Sequence, residues 1–167
     1  MANKKENAFS GVVTDFPMIN ENTKQLRDRY HGALLGLAAG DALGTTLEFR
    51  SPGTFGPLTD MVGGGPFALA PGQWTDDTSM ALCLGESLVR CHGFDPKDQM
   101  ERYCRWWQEG YLSCTGRCFD IGLTVSAALS KYTETSDPFS GSVDPRQRWQ
   151  RQLNAPRTHS PGVPREP

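Results

Sequence analysis

The sequence has 167 residues, 37% of them hydrophobic, which suits one domain with a buried core. Charged residues make up 22% and the formal net charge is −2. That balance argues against nucleic acid or an anionic membrane as the main partner, because phosphate binding needs a basic surface. No apolar run is long enough to span a bilayer. The lysine-bearing start, Met1 to Glu6, leads into no apolar signal segment, so the sequence reads as cytoplasmic.

In chain order, residues 1–22 are polar and aperiodic and read as a loose leader. From Thr23 onward, Leu26, Tyr30, Ala33, Leu34, Leu37 and Ala38 recur at helical spacing, which predicts a helix with one buried stripe. Gly32, Gly36 and Gly40 lie in register along it and suggest a second backbone packed close to that face. Ser51 to Gln73 is rich in Gly and Pro and reads as an irregular loop. A second helix is expected from about Asp77, with Met80, Ala81, Leu84, Leu88 and Val89 on its apolar face. Asp95-Pro96 opens a third as cap and first residue. It carries Met100, Tyr103, Trp106, Trp107 and Tyr111, an aromatic load better suited to a core than to a ligand platform. A fourth helix is expected from about Phe119 to Lys131. No segment alternates with a two-residue period, so the fold class is all-α.

Five cysteines, Cys83, Cys91, Cys104, Cys114 and Cys118, contain no Cys-x-x-Cys pair and read as cytosolic thiols. The three histidines are scattered, so any metal site must be built from oxygen ligands. The strongest candidate is Trp74-Thr75-Asp76-Asp77-Thr78, where a glycine-rich loop runs into a helix. Two adjacent carboxylates repel each other, and burying them without a cation is costly. Mg²⁺ would relieve this by taking oxygen ligands from carboxylates and hydroxyls. The competing explanation is helix capping by Thr75 or Asp76, which accounts for one or two of the five residues.

Asp41 stands between Gly40 and Gly44 at a helix C-terminus, where the helix dipole disfavours it. That points to a hydrogen bond made elsewhere. Glu48, just beyond, could position or deprotonate a water, although a lone loop glutamate is usually just solvated. In Thr115 to Gly122, the glycines leave backbone N–H groups free to meet phosphate, and Asp120 is either a helix cap or a site residue.

These segments, from Tyr30 to Gly44, then Glu48-Phe49, Trp74 to Met80 and Gly116 to Gly122, together resemble the ADP-ribosylglycohydrolase family. Within it, the enzymes that reactivate ADP-ribosylated dinitrogenase reductase look most alike. The resemblance covers roughly Arg27 to Ser142 and implies a compact helical fold. It implies hydrolysis of the bond joining ADP-ribose to a protein side chain or small acceptor, so the expected partner is an ADP-ribosylated protein or ADP-ribose derivative. It also implies two magnesium ions (manganese as the alternative) with Thr75, Asp76 and Asp77 as ligands. Glu48, Asp76 and Asp77 would be catalytic, and Gly116, Phe119, Asp120 and Gly122 would line the ADP-ribose pocket.

Two family elements are missing: an Asn-Gly-x-x-Met-Arg-x-Ala-Pro stretch soon after Ser142, and a late Asp-rich segment supplying further metal ligands. Residues 143–167 are instead rich in Arg, Gln and Pro and read as a disordered tail. A set of codons exists for Arg146 to Pro167 that, read one nucleotide later, encodes the missing Asn-Gly stretch. The expectation is therefore a truncated, frameshift-like relative comprising residues 23–142 of the fold. It would bind metal weakly, expose apolar helix faces and have little hydrolase activity. A non-catalytic ADP-ribose binder, an inactive remnant, or another chemistry on the same fold are the rival readings.

Overall fold

A computed structural model describes residues 21–142. Four α-helices follow one another: α1 (Glu21–Gly44), continued by a 3-10 turn at Thr45–Leu47, α2 (Asp76–Arg90), α3 (Pro96–Glu109) and α4 (Leu123–Thr135). The only extended pairing among the described residues is an isolated bridge between Gly64 and Leu69, so the all-α expectation holds. The leader up to residue 20 and the tail from 143 lie outside the described residues. Among the described residues, no helix is long and apolar enough to cross a membrane.

The centre of the fold is α2 against α3, with α4 packed on α3 and the last turns of α1 on α2. Trp106 and Leu129 are 1% exposed, and Met100, Tyr103 and Trp107 pack around Cys104, Leu129 and Tyr132. Each large apolar side chain removed from water in this way contributes roughly 1.5–3 kcal/mol. Met100, Tyr103, Trp106 and Trp107 are thus core as expected, whereas Tyr111 lies beyond the end of α3 and its hydroxyl donates to Glu86. α3 begins as expected: the Asp95 carboxylate accepts from the backbone N–H groups of Lys97 and Asp98, and Pro96 follows it. It ends at Gly110 with φ +72, where a side chain would run into the Gly116 backbone.

Three expectations need correction. The buried face of α2 is formed by Ser79, Cys83 and Ser87, each at most 1% exposed, while Leu88 and Val89 face outward. Small side chains let α3 approach closely, and the Cys83 thiol reaches the Arg102 carbonyl. The α1 stripe is also not buried: Leu26, Tyr30, Leu34, Leu35 and Leu37 are all exposed, and only the end of the helix packs. A Cβ at Gly32, Gly36 or Gly40 would meet nothing within 4 Å, so no backbone packs against that face among the described residues. Finally, α4 starts at Leu123, not Phe119, because Asp120 has φ +58, which a helix cannot accommodate.

The glycine-rich loop between α1 and α2 is tied to the 3-10 turn. The Thr46 hydroxyl donates to the Gly63 carbonyl at 3.0 Å. Gly65, with φ +67, lies so close to the Thr45 carbonyl that any side chain would clash with it. These contacts hold the glycine-rich loop against the residues that follow α1.

Candidate active site

Three segments converge on one cavity of about 740 Å³. The end of α1 and its 3-10 turn contribute Asp41, Thr45 and Glu48, the start of α2 contributes Thr75, Asp76 and Asp77, and the turn before α4 contributes Asp120. Five of the residues proposed from sequence, Glu48, Thr75, Asp76, Asp77 and Asp120, therefore come together here. Phe119 lines a separate cavity of about 380 Å³ with Phe67 and Arg117. Gly116 and Gly122 line neither cavity. Gly122 is the N-cap of α4, and Gly116 lies well before it in a turn with φ +71.

Asp41 organises the wall. Its Oδ1 accepts from the Thr75 hydroxyl at 2.8 Å, and its Oδ2 from the Thr78 hydroxyl at 2.6 Å. The same carboxylate accepts from the backbone N–H groups of Thr75 and Thr78. Thr75 is the N-cap of α2, yet its side chain makes no capping bond. Asp41 supplies that bond from another helix, which explains a carboxylate at the unfavourable end of α1: it sits at the favourable end of α2. Thr75 and Thr78 are 4% and 3% exposed, so these bonds are shielded from competing water.

The remaining carboxylates strain against one another. Burial, reinforced by Asp120 and Asp77, pushes the Asp76 carboxyl up to about 6. Burial, then Glu48, Asp41 and Asp77, pushes Asp120 up to about 6. Glu48 is raised as well, first by burial and then by Asp76, Asp41 and Asp77. A hydrogen bond joins Asp120 to Glu48 and favours the proton on Asp120. Asp120 is thus a partner of Glu48 and not the cap of α4, whose N-cap makes no side-chain bond.

Thr75, Asp76 and Asp77 have the donor chemistry of a hard cation site. The Thr75 hydroxyl gives its proton to Asp41, which leaves its lone pairs for a cation. A cation would also offset the burial and, with it, the repulsion from Asp120 and Asp77 that raise Asp76. Among the described residues, no three His, Cys, Asp or Glu side chains form a metal-binding group by themselves. The residues present fit such an ion in kind and supply part of its shell.

Sequence reasoning named Phe119 but missed its aromatic neighbour Phe67. Phe67 packs tilted against Phe119 with ring centroids 5.3 Å apart, and Phe49 meets Phe67 edge-on at 6.5 Å. Phe49 is 80% exposed and has φ +62, a conformation uncommon outside glycine. Phe67 lies in a loop without periodicity, so no pattern marked it. Thr45, 5% exposed, was also missed, and its hydroxyl has no partner among the described residues. The loop carrying Phe119 and Asp120 is tied to the start of α2 by the Cys114 thiol, which donates to the Trp74 carbonyl, and by the Gln73 amide, which donates to the Cys114 carbonyl.

The ADP-ribosylglycohydrolase family model matches residues 22–160. The chain is 51% identical over 118 residues to the ADP-ribosylarginine hydrolase Tri1 of Serratia proteamaculans, covering 71% of this chain and 32% of that protein. It is 39% identical over 122 residues to the ADP-ribosyl-[dinitrogen reductase] glycohydrolase of Rhodospirillum rubrum, covering 69% of this chain and 39% of that one. A solved ADP-ribosylglycohydrolase-related protein complex superimposes with a TM-score of 0.60 at 50% identity, covering 71% of this chain and 38% of that chain. The chain spans between about a third and two fifths of the length of these curated relatives.

Proposed function

This chain belongs to the ADP-ribosylglycohydrolase family, and from that premise we propose that its acidic cavity serves hydrolysis of the glycosidic bond between ADP-ribose and a side chain or small acceptor. The observation that carries this reading is the convergence of Glu48, Asp76, Asp77 and Asp120 on one cavity. Arginine is the favoured acceptor, since a relative at 51% identity is an ADP-ribosylarginine hydrolase. The five cysteines are unpaired, which supports a reducing, cytoplasmic setting.

In this reading Glu48 orients a water and takes its proton as the water oxygen bonds to the anomeric carbon. Asp120, which holds a proton toward neutral pH, protonates the acceptor nitrogen or oxygen as its bond to that carbon breaks. The neighbouring carboxylates offset the positive charge that develops on the sugar ring. Magnesium or manganese held by Thr75, Asp76 and Asp77 would fix the ribose hydroxyls and polarise the water. Phe49, Phe67 and Phe119, next in sequence to Glu48 and Asp120 at two of the three positions, add an apolar cluster of inclined rings.

A second reading, binding without turnover, is favoured by the partial metal shell. The test is to incubate the 167-residue chain with an ADP-ribosylarginine peptide and Mg²⁺, following both ADP-ribose release and calorimetric binding. Release lost in Asp76→Asn supports hydrolysis, and binding without release supports the second reading. Neither binding nor release would remove both.

A further inference from the structure

We infer that Asp41 is a positioning residue whose work is to aim the Thr75 oxygen lone pairs at the cation, separately from its part in holding α1 on α2. The inference rests on the metal reading above and deepens it. Its geometric basis is the division of labour between the two carboxylate oxygens. Oδ1 accepts a hydrogen bond from the Thr75 hydroxyl at 2.8 Å and Oδ2 accepts one from the Thr78 hydroxyl at 2.6 Å. Thr75 lines the acidic cavity, whereas Thr78 does not. The two bonds are thus chemically alike, but only one bears on the cavity.

A hydroxyl has one proton and two lone pairs. While an anionic acceptor holds the proton, both lone pairs face away from it. The setting strengthens this preference, because the acceptor is charged and Thr75 is only 4% exposed. An amide in place of the carboxylate has one acceptor atom and one donor group. Where its NH₂ faces Thr75, a lone pair of that hydroxyl is consumed and the hydroxyl proton turns toward the cavity. A cation would then meet a proton where it had met a lone pair.

The experiment compares Asp41→Asn with Thr78→Val in the full 167-residue chain, reading Mn²⁺ affinity by electron paramagnetic resonance and stability by circular dichroism melts. The loss of an outer partner that orients a ligand typically weakens metal binding roughly 10- to 100-fold. Asp41→Asn is expected to do so while retaining a cooperative melt. Thr78→Val is expected to lower the melting temperature and leave Mn²⁺ affinity within about twofold, since the Thr75 bond persists. Should both variants lose affinity in proportion to their lost stability, Asp41 is merely structural and the inference fails. Unchanged affinity in Asp41→Asn overturns it too. If the wild-type chain binds no Mn²⁺, the metal reading itself falls, a result distinct from the other two.

Discussion

The two ends of α2 treat their carboxylates in opposite ways. At its N-terminus Asp76 is pushed up to about 6 by burial and by Asp120 and Asp77. Near its C-terminus Glu86 is held below the usual range, first by the Tyr111 hydroxyl and then by the Arg102 guanidinium, which stands 2.7 Å away. The same Arg102 binds Asp98 at 2.7 Å and lowers that carboxyl also. The helix dipole alone predicts the reverse, since a negative charge is favoured at a helix N-terminus and disfavoured at the C-terminus. Immediate partners therefore outrank the dipole. One end of α2 is a completed ion network, and the other is a set of carboxylates with no cationic side chain among the residues lining their cavity.

The largest expected effect follows from that difference. If the N-terminal end is a cation site, Asp76→Asn should weaken Mn²⁺ binding by about 100-fold or more, beyond the loss typical of an outer partner, with no loss of stability in metal-free buffer. A titration followed by paramagnetic resonance, paired with a urea melt, checks both halves. At the other end, Arg102→Met should leave Mn²⁺ affinity unchanged and destabilise the fold. It strands the Glu86 and Asp98 carboxylates, whose side chains are 29% and 27% exposed, by removing the guanidinium of Arg102, a side chain only 13% exposed. Because they retain some water, the cost should be about 2 kcal/mol, below that of a fully buried pair. If Arg102→Met weakened Mn²⁺ binding without destabilising the chain, the two ends would not be independent.

How much of this was legible in sequence depends on the kind of residue. The adjacent Asp76 and Asp77 could be read because their repulsion is local and needs no tertiary knowledge. Asp41 could be read as misplaced on α1, but its true position, capping α2, depends on a contact between segments 34 residues apart. Asp120 was ambiguous between cap and site. Its left-handed backbone keeps it out of α4, whose N-cap is Gly122. The buried face of α2 was misjudged because hydrophobicity marked Leu88 and Val89, whereas close helix packing selected Ser79, Cys83 and Ser87 for size. Phe67 was invisible, since an aperiodic loop gives no clue to which of its side chains turns inward.

The opposite pKa shifts also predict opposite responses to pH. Asp120 titrates at 3.8 when unperturbed and at about 6 in the fold. The folded state therefore binds the extra proton between these values, and stability declines as pH rises through that window. Glu86 and Asp98 have lowered values, so their contribution is present above the ordinary carboxylate range and is lost on acidification. Asp120→Asn mimics the protonated form and can still donate to Glu48. It should raise the metal-free melting temperature by about 3 °C at pH 7.5, with no gain at pH 3.5, where wild-type Asp120 is itself protonated. A gain of equal size at both pH values would show that packing, not charge, caused it.

The smallest effect separates burial from mere pairing. Lys97 and Glu101 form an ion pair on α3 at 3.7 Å, with the spacing of one helical turn and opposite charges, as between Arg102 and Asp98. Their side chains, however, are 71% and 54% exposed. Water and salt screen such a pair, and holding two long side chains together costs entropy, so Lys97→Ala should change stability by less than about 0.5 kcal/mol. A urea melt in low and moderate salt reads this directly. A loss as large as that of Arg102→Met would mean that an exposed pair stabilises as much as a half-buried one, and burial would then not be what distinguishes the two pairs.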